Sequence, residues 1–411
     1  MQAIKSSPLR LWVYLAASLT SLNTSFYSFF LLYSLVIFSA NSIVGVGWVN
    51  QWSAPMCFLL FILALYCCSK RATQPLHLIV AFLYLFFIRS NVISLFLFYE
   101  AILLPIAFLV LKSGSEPERV RSVCYILIYT ILGSVPFFIV GIYLVKLRGS
   151  LSLPVVLKMT TTRVMAICLR LTFLTKLPVW GVHLWLPLAH VFSPLVGRII
   201  LAGIMLKAGA YGLHLVFIIS RSRDLILFIF IGIATVGAIF SFFKGVTCLD
   251  GKAVIAFSRI IHMAWVVSLL VWGRNLSEMG LLMLLIGHGI RRPLLFSLVA
   301  SYSDSGSRSL FYRSNLTYPL ITLFILMLAI NCGFPPSLNF LREIICFIVL
   351  YQLSSIVCFL FFVVFLLGGF YSLFIWLNIF NAKNNVFLHK FHWTDPIMIG
   401  LAFSIAAITW L

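Results

Sequence analysis

Long uninterrupted runs of apolar residues recur along this chain, and short polar segments separate them. A run such as Leu225 to Phe243 is long enough to cross a membrane as a helix, and it lacks the alternation of apolar and polar positions that a membrane β-barrel strand shows. In lipid, only helices and closed barrels satisfy every backbone polar group. The pattern therefore predicts an all-α polytopic membrane protein with about fourteen transmembrane helices.

The predicted spans are apolar and are bounded by cations or by turn residues. They lie near residues 10–22, 26–47, 54–69, 75–88, 91–112, 119–146, 164–186, 194–219, 225–244, 252–272, 279–302, from 316 onward, 354–380 and 396–411. Lys5 and Arg10 precede the first run, which would also suit a signal peptide. Because apolar spans continue to the end of the chain, a first transmembrane helix is the favoured interpretation.

Two of these spans, the seventh and the twelfth, are interrupted by proline. Lys176 stands just before Pro178 in the seventh, and the twelfth meets Asn331-Cys-Gly-Phe-Pro-Pro-Ser337. Proline removes a helical hydrogen bond, so both helices are predicted to bend or break. Broken helices at matching positions of two repeats are typical of a transport site, although two kinks can also arise by chance. We therefore predict repeats at 75–220 and 221–380, between an N-terminal unit, 1–74, and a last helix within 381–411.

The charge balance is strongly positive, at +20, in a chain that is 63% hydrophobic and only 9% charged. In a soluble protein such a balance would suggest nucleic acid. Here the cations fall largely between the apolar runs, where they would face lipid headgroups. We expect membrane lipid as a partner and no nucleic acid. The cations occupy too many consecutive loops to fix the orientation in the membrane.

Known cofactor motifs are missing from the sequence. The nine cysteines are scattered without a Cys-x-x-Cys pair, which argues against a thiolate metal site, an iron–sulfur cluster or attached haem. Neither a glycine-rich phosphate loop nor a dinucleotide fingerprint occurs. We expect no cofactor, metal or redox centre on this chain, so that its energy comes from an ion gradient or a partner.

Four ionisable residues, Glu100, Lys176, Lys207 and Glu343, lie deep inside predicted spans. A charge at the centre of a bilayer costs roughly 2.5–3.5 kcal/mol even on the lenient insertion scale. Seven of the nine acidic residues lie near predicted loops or helix ends, so the two glutamates within spans need an explanation. A membrane protein keeps such groups mainly to move ions or protons, and these four are the candidate site.

Histidines extend this candidate site. His183, His190, His262 and His288 lie within or beside spans seven, ten and eleven, and imidazole can pass a proton from one nitrogen to the other near neutral pH. If Glu100 and Lys176 touch, a change at one would alter the proton affinity of the other, as a proton pump requires. A static structural ion pair is the alternative. His77 and His214 are expected in the core or at the membrane surface, and His389 and His392 are expected in a loop near the last helix.

Several blocks between about Leu95 and Leu310 carry a family resemblance. They are Phe98-Tyr-Glu-Ala101, Glu116-Pro-Glu-Arg119, Tyr129-Thr-Ile-Leu-Gly-Ser-Val-Pro136, Lys176-Leu-Pro-Val-Trp-Gly-Val-His-Leu-Trp-Leu-Pro187 with Ala189-His190, Ile200-Leu-Ala-Gly-Ile-Met-Leu-Lys-Ala-Gly-Ala-Tyr-Gly212, Asp250-Gly-Lys-Ala-Val-Ile-Ala-Phe-Ser258 with His262, His288-Gly289 and Ser307-Arg308. In this order they resemble the chain-4 family of mitochondrial NADH–ubiquinone oxidoreductase, respiratory complex I. Farther on, Pro335-Pro336 and the helix of Glu343 also match.

The resemblance implies an antiporter-like, proton-translocating subunit of the mitochondrial inner membrane, with two inverted five-helix repeats and with helices seven and twelve broken. It implies that Glu100 and Lys176 are a coupled pair, that Lys207 is the central relay and that Glu343 is the exit or entry residue. The four histidines would support the hydrated path between them. It also implies the other complex I membrane subunits as partners, with flavin (FMN) and iron–sulfur clusters held elsewhere in the complex, and no small-molecule substrate except protons.

This chain departs from that family at a few positions. Leu188 stands where a charged residue is usual, and Phe192 and Arg198 replace residues that are commonly polar or small. Arg291-Arg292-Pro293 follows His288 where small residues are expected, and the two arginines would reach either a water-filled path or a partner subunit. Two other functions remain open from the sequence: a subunit of a stand-alone sodium/proton antiporter, and a non-conducting membrane scaffold.

Overall fold

The computed structural model describes residues 73–384, apart from 89–90, 114–117, 149–161, 221–224, 249, 273–274, 304–311, 314–317, 334–337 and 382. Several sequence predictions therefore lie outside the described residues. They concern the predicted unit 1–74, except for its last two residues, the predicted last helix, and the histidines His389 and His392. Parts of three family blocks also lie outside: Glu116 and Pro117, Ser307-Arg308 and Pro335-Pro336.

The described chain is helical apart from one pair of two-residue strands. The helices are α1 (Thr73–Ile88), α2 (Val92–Ala101), α3 (Leu103–Ser113), α4 (Arg119–Arg148), α5 (Arg163–Lys176), α6 (Trp185–Phe192), α7 (Leu195–Ile200), α8 (Leu206–Ser220), α9 (Leu225–Thr247), α10 (Gly251–Trp272), α11 (Asn275–Ser303), α12 (Tyr318–Asn331), α13 (Leu338–Leu353) and α14 (Ser355–Asn381). A π-helical segment, Leu201–Met205, joins α7 to α8. Strands β1 (Tyr312–Arg313) and β2 (Lys383–Asn384) pair in parallel. The predicted all-α class is thus confirmed for the described residues.

Seven helical segments in the described part are long and apolar enough to cross a membrane: Val92–Lys112, Arg119–Lys146, Leu195–Ile218, Phe228–Thr247, Gly251–Val271, Leu276–Val299 and Ser355–Ile375. Each coincides with a span predicted from the sequence, to within a few residues at most ends. The first of them is interrupted at Ile102, between α2 and α3. Pro105 explains the interruption, because it cannot donate to the carbonyl of Ala101 one turn earlier.

The helices divide into a central and a peripheral set. The most apolar stretch of Leu195–Ile218 is buried along its whole length, and that of Gly251–Val271 is 94% buried. In contrast, only 33% of the corresponding stretch of Arg119–Lys146 and 22% of that of Ser355–Ile375 is buried. α7, α8 and α10 therefore form the centre of the bundle, whereas α4 and α14 present apolar side chains outward, as a lipid-facing helix must.

The predicted break beside Lys176 is present. α5 ends at Lys176, Leu177 is extended, and the helix resumes only at Trp185. Two features hold this turn: Gly181 has a φ of 96°, and the indole Nε1 of Trp185 donates to the carbonyl oxygen of Thr175 at 3.2 Å. The indole thereby satisfies one of the carbonyls that the helix end leaves open.

The second predicted break is also present, between α12 and α13. α12 ends at Asn331, and Gly333 has a φ of 76°, a conformation that other residues rarely adopt. The amide N–H of Gly333 donates to the carbonyl of Ile330 at 3.3 Å. Helix α13, which carries Glu343, then begins at Leu338.

The π-helical segment Leu201–Met205 was not predicted. A π segment widens one turn of a helix and frees backbone carbonyls, and it occurs often at functional sites. Here it lies two residues before Lys207, whose Nζ donates to the carbonyl of Ala202 at 2.5 Å. The segment and α7 both pack against α11, so the irregular turn brings Lys207 to the helix that holds His288.

Replacing Gly181 by alanine tests the turn after α5. No side-chain or backbone atom would touch the added methyl group, so the whole effect is backbone strain, about 1–2 kcal/mol of destabilisation for a left-handed residue. Gly232 in α9 is the matched control, because it also has open space but has no left-handed φ. Thermal unfolding of the purified protein in detergent should show a loss of stability for Gly181→Ala and no loss for Gly232→Ala. Equal effects would show that the Gly181 turn imposes no strain.

Candidate functional site

Glu100 and Lys176 form an ion pair, the contact that the sequence left open. The Lys176 Nζ lies 2.5 Å from the Glu100 Oε1, and it stands over the ring of Tyr99 at 3.9 Å from the ring centre. The side chain of Lys176 is 5% exposed and that of Glu100 is 22% exposed. Because Lys176 is the last residue of α5 and Glu100 lies near the end of α2, two interrupted helices meet at this pair.

A small cavity adjoins the pair. Its volume is about 10 Å³, roughly the room that one water molecule needs. It is lined by Lys176, Thr130, Tyr99, Trp185, Met205, Leu103 and Ile126. Met205 is the last residue of the π-helical segment, so the cavity lies between the ion pair and the helix that carries Lys207.

Lys207 occupies the centre of the bundle and is 2% exposed. Its ammonium donates to the freed carbonyl of Ala202 and interacts through its charge with His190 and His288. A lysine amine can donate to this carbonyl whether it is protonated or neutral, since both forms carry N–H groups. This geometry suits a group that gains and loses a proton.

The predicted histidines fall into two sets. His262 and His288 form a pair with ring centres 6.1 Å apart, and His190 stacks on Phe296 with ring centres 4.7 Å apart. All three are within charge range of Lys207 or of the same buried arginines. His183 lies in the turn after α5, where its ring stacks on Trp180 at 4.2 Å and feels the charge of Lys244.

Glu343 lies in α13 just beyond the second break and is 6% exposed. Its Oε1 is 3.3 Å from the Nη2 of Arg342, which in turn is 3.1 Å from the Nδ1 of His262. Its Oε2 is buried and has no hydrogen-bond partner in the described part of the chain. The glycine of the break, Gly333, lies directly against this carboxylate, so a side chain there would displace it.

Several buried arginines were missed or left open by the sequence interpretation. The side chain of each is at most 7% exposed; the six are Arg170, Arg198, Arg259, Arg291, Arg292 and Arg342. Arg291 and Arg292, for which a hydrated path and a partner subunit were both considered, lie inside the bundle. Arg291 donates to the carbonyls of Gly287 and Ile330 at 2.9 and 2.8 Å, and Arg292 donates to Ser258 Oγ at 2.5 Å. Helical spacing could have found Arg259 and Arg342, which lie within one turn of His262 and Glu343.

The fold and the site together define a polytopic helical membrane protein with interrupted helices and a buried series of acid and base groups. The chain belongs to the NADH:quinone oxidoreductase/Mrp antiporter transmembrane family, whose family model matches residues 90–368. The resemblance inferred from the sequence blocks is thereby confirmed.

Three relatives, each named NADH-ubiquinone oxidoreductase chain 4, illustrate the similarity. The chain of Albinaria caerulea is 30% identical over 311 residues, which cover 74% of this chain and 71% of the relative. That of Artemia franciscana is 34% identical, with 68% and 74% covered. That of Ceratitis capitata is 37% identical, with 65% and 61% covered.

Solved structures show the same fold at low identity. A chain of respiratory complex I from Thermus thermophilus with bound NADH matches with a TM-score of 0.78 and 19% identity, covering 88% of this chain and 80% of that one. A chain of the Mrp complex from Dietzia sp. also matches with a TM-score of 0.78, at 15% identity, covering 89% and 80%. The fold is therefore the antiporter-like one that both kinds of complex contain.

A double-mutant cycle on Glu100 and Lys176 tests the ion pair. Lys176→Met should destabilise the protein by about 2–3 kcal/mol, because it leaves a partly buried carboxylate without its charged donor. Glu100→Gln with Lys176→Met should cost less than the sum of the single variants, since no charge is then stranded. Thermal unfolding in detergent gives the three values. Lys244→Met, which removes an exposed cation, is the control, and strictly additive effects would contradict the contact.

Proposed function

We propose that this chain is the chain-4 membrane subunit of respiratory complex I and that it translocates protons across the mitochondrial inner membrane, coupled to electron transfer from NADH to ubiquinone. The observation that carries the proposal is the 30–37% identity to relatives of that name over about two thirds to three quarters of the chain. The buried acid and base groups support it, because they are the kind of group that proton transfer requires.

The proposed architecture is that of fourteen helices with two inverted five-helix repeats, 75–220 and 221–380. Two observations support it. The break after Lys176 and the break after Asn331 lie five predicted spans apart, and each stands next to a buried ionisable group, Lys176 in one case and Glu343 in the other. In both cases irregular backbone lies within the bundle, where it can meet side chains or water instead of lipid.

Proton transfer would start at the Glu100–Lys176 pair. Redox energy released elsewhere in the complex changes the charge near Glu100, and the strength of its pairing with Lys176 changes with it. When the pairing weakens, burial favours the neutral lysine, which then gives up its proton. The cavity beside Lys176 has room for about one water molecule to accept that proton and lies next to the π-helical segment.

The central and exit groups complete the path. The change in charge at the Glu100–Lys176 pair acts next on Lys207, and His190, His262 and His288 carry its effect onward. Glu343 takes up or releases the proton at the second break. His183 supports the first step from the turn after α5. These roles are assigned from position: Lys207 lies within charge range of His190 and His288, the rings of His262 and His288 lie 6.1 Å apart, and Glu343 lies beside the second break.

The proposal includes partners and cofactors. The other complex I membrane subunits would cover part of the apolar outer surface, membrane lipid would cover the rest, and FMN and iron–sulfur clusters would be held by subunits outside this chain. No group of three or more His, Cys, Asp or Glu residues that could hold a metal ion occurs in the described part of the chain. Its substrate would be the proton alone.

Glu100→Gln tests the first step. The variant keeps the size of the side chain but removes the charge that holds Lys176, so proton pumping and coupled quinone reduction should fall at least tenfold while the complex still assembles. The measurement is proton uptake per NADH oxidised in reconstituted vesicles. Glu118→Gln, at an exposed position outside the pair, is the matched control. Normal pumping by an assembled Glu100→Gln complex would count against the proposal.

Lys207→Met tests the central relay separately from structure. Methionine fills similar space without a proton, so pumping should be lost while the assembled complex remains. Lys146→Met removes an exposed lysine far from these groups in the chain and should leave pumping unchanged. Normal pumping by the Lys207→Met complex would contradict the relay, and failure of both Lys207→Met and Lys207→Gln to assemble would instead assign Lys207 a structural role.

A stand-alone sodium/proton antiporter subunit is the alternative function, favoured by the fold it shares with the Mrp complex. Co-purification separates the two. Complex I membership predicts that flavin, iron–sulfur proteins and NADH oxidation accompany this chain, whereas an antiporter predicts sodium-dependent transport without them. A non-conducting scaffold would keep full turnover after Glu100, Lys176, Lys207 and Glu343 are all neutralised.

A further inference from the structure

Four arginines from three helices converge on the centre of the bundle, and we name them the arginine cluster: Arg259 on α10, Arg291 and Arg292 on α11, and Arg342 on α13. They are 0%, 3%, 1% and 2% exposed, in that order. The cluster surrounds the two histidines, His262 and His288, and Lys207 adds a fifth cation within charge range of His288. This is the densest group of buried charges in the described part of the chain.

The cluster has too little negative charge around it. Glu343 lies 3.3 Å from Arg342, but neither Arg259 nor Arg292 has a carboxylate within ion-pair distance among the described residues. The contacts of Arg259 are a histidine nitrogen, at 2.5 Å, and the ring of Phe296, at 5.4 Å. Those of Arg292 are the hydroxyl and carbonyl of Ser258 and the carbonyl of Ile255.

The guanidinium groups also have donors without acceptors. Nε and Nη2 of Arg259, Nε of Arg292 and Nη1 of Arg342 are buried and make no hydrogen bond in the described part of the chain. Lysine, histidine and glutamate can escape such an environment by becoming neutral, but arginine stays protonated in proteins. An unpaired, partly unsatisfied charge in a low-dielectric interior is strongly unfavourable. Here several lie together and repel one another.

The same charges would oppose the proposed function. Permanent cations around His262 and His288 disfavour any further positive charge, and so they would keep a proton away from Lys207 and from the histidines. A relay that must gain and lose protons needs neutral or titratable neighbours, which arginines are not.

A serine at each position would remove the conflict. Serines in these helices satisfy themselves locally: the buried Ser258 and Ser268 donate to carbonyls three residues earlier at 2.9 and 2.8 Å, and the half-buried Ser297 does the same at 2.8 Å. A hydroxyl at positions 259, 291, 292 and 342 would find the same kind of carbonyl acceptor in its own helix. It would add no charge, and it would line the space between Lys207 and Glu343 with groups that can bind water.

We propose that the mature chain carries serine, not arginine, at positions 259, 291, 292 and 342, because the mitochondrial ribosome reads the codons there as serine. The mitochondria of many invertebrates read AGA and AGG, which specify arginine in the standard code, in this way. Reading of these codons as serine rests on the proposed mitochondrial function. The choice of the four positions rests on the burial and charge of their side chains. Positions 291 and 292 are also those at which the family is expected to have small residues.

A bound anion is the competing source of compensating charge. It would need space beside the unpartnered nitrogens, but these atoms are enclosed by protein. An anion held among His262, His288 and Lys207 would also occupy the path that protons have to use. Serine explains both the unsatisfied donors and the missing carboxylates without an additional ligand.

Tandem mass spectrometry of the chain from the native complex tests this directly. Chymotryptic peptides that span positions 259, 291–292 and 342 should show serine at each of them, and the intact chain should be lighter than the 46.4 kDa of the printed sequence by the arginine–serine difference for each position read in this way. Trypsin should cut after Lys207 and Lys252 but not after positions 259 and 291; position 292 precedes Pro293, where trypsin does not cut in any case, so it is read from the chymotryptic peptide alone. The two lysines serve as the internal control for digestion.

The outcomes are distinct. Serine at all four positions supports the proposal, and arginine at any of positions 259, 291, 292 and 342 overturns it and leaves a bound anion as the source of compensation. Because residue identity is read by mass, this result is independent of pumping. The chain could carry serine and fail to translocate protons, or carry arginine and succeed, so the two proposals can fail separately.

Discussion

The absence of water from the hydrocarbon core is the constraint on which the rest of this structure depends. It forces every backbone polar group into a helix or against another protein group, and it forces every charge away from lipid. The Glu100–Lys176 pair meets this constraint in the simplest way, since two opposite charges from α2 and α5 lie 2.5 Å apart inside the bundle. The outer helices, α4 and α14, meet it by presenting apolar side chains.

Irregular backbone is placed where ionisable groups need it. α5 ends at Lys176, the π-helical segment precedes Lys207, and a glycine turn precedes the helix of Glu343. At the first two irregularities a side chain uses the freed carbonyls: the Trp185 indole at the first and the Lys207 ammonium at the second. A regular helix would bury its carbonyls in its own hydrogen bonds and would leave these donors without acceptors.

The centre of the bundle combines a consistent helical scaffold with a set of charges that does not fit it. The helices, the breaks and the lysine–histidine series are mutually consistent, whereas the arginine cluster combines burial, like charge and unsatisfied donors. Consistency among such features is what a folded sequence normally shows. A conflict confined to one residue type, in an otherwise consistent core, points to the identity of those residues rather than to the fold. Hydroxyls at the same positions would restore consistency and would also suit proton transfer.

Periodicity and composition by themselves determined the helical membrane class, the positions of the described spans and both breaks, because long apolar runs, proline and glycine act locally on the backbone. They also singled out Glu100, Lys176, Lys207 and Glu343, because a charge within an apolar run is visible without knowing what surrounds it. Only the tertiary structure decided that Glu100 meets Lys176, that Lys207 bonds the carbonyl of a π turn and that His183 stands apart from His262 and His288. It also decided that four arginines from three helices converge. These contacts depend on how helices distant in the chain pack against one another. No local pattern encodes them, because the partners meet only when the bundle has formed.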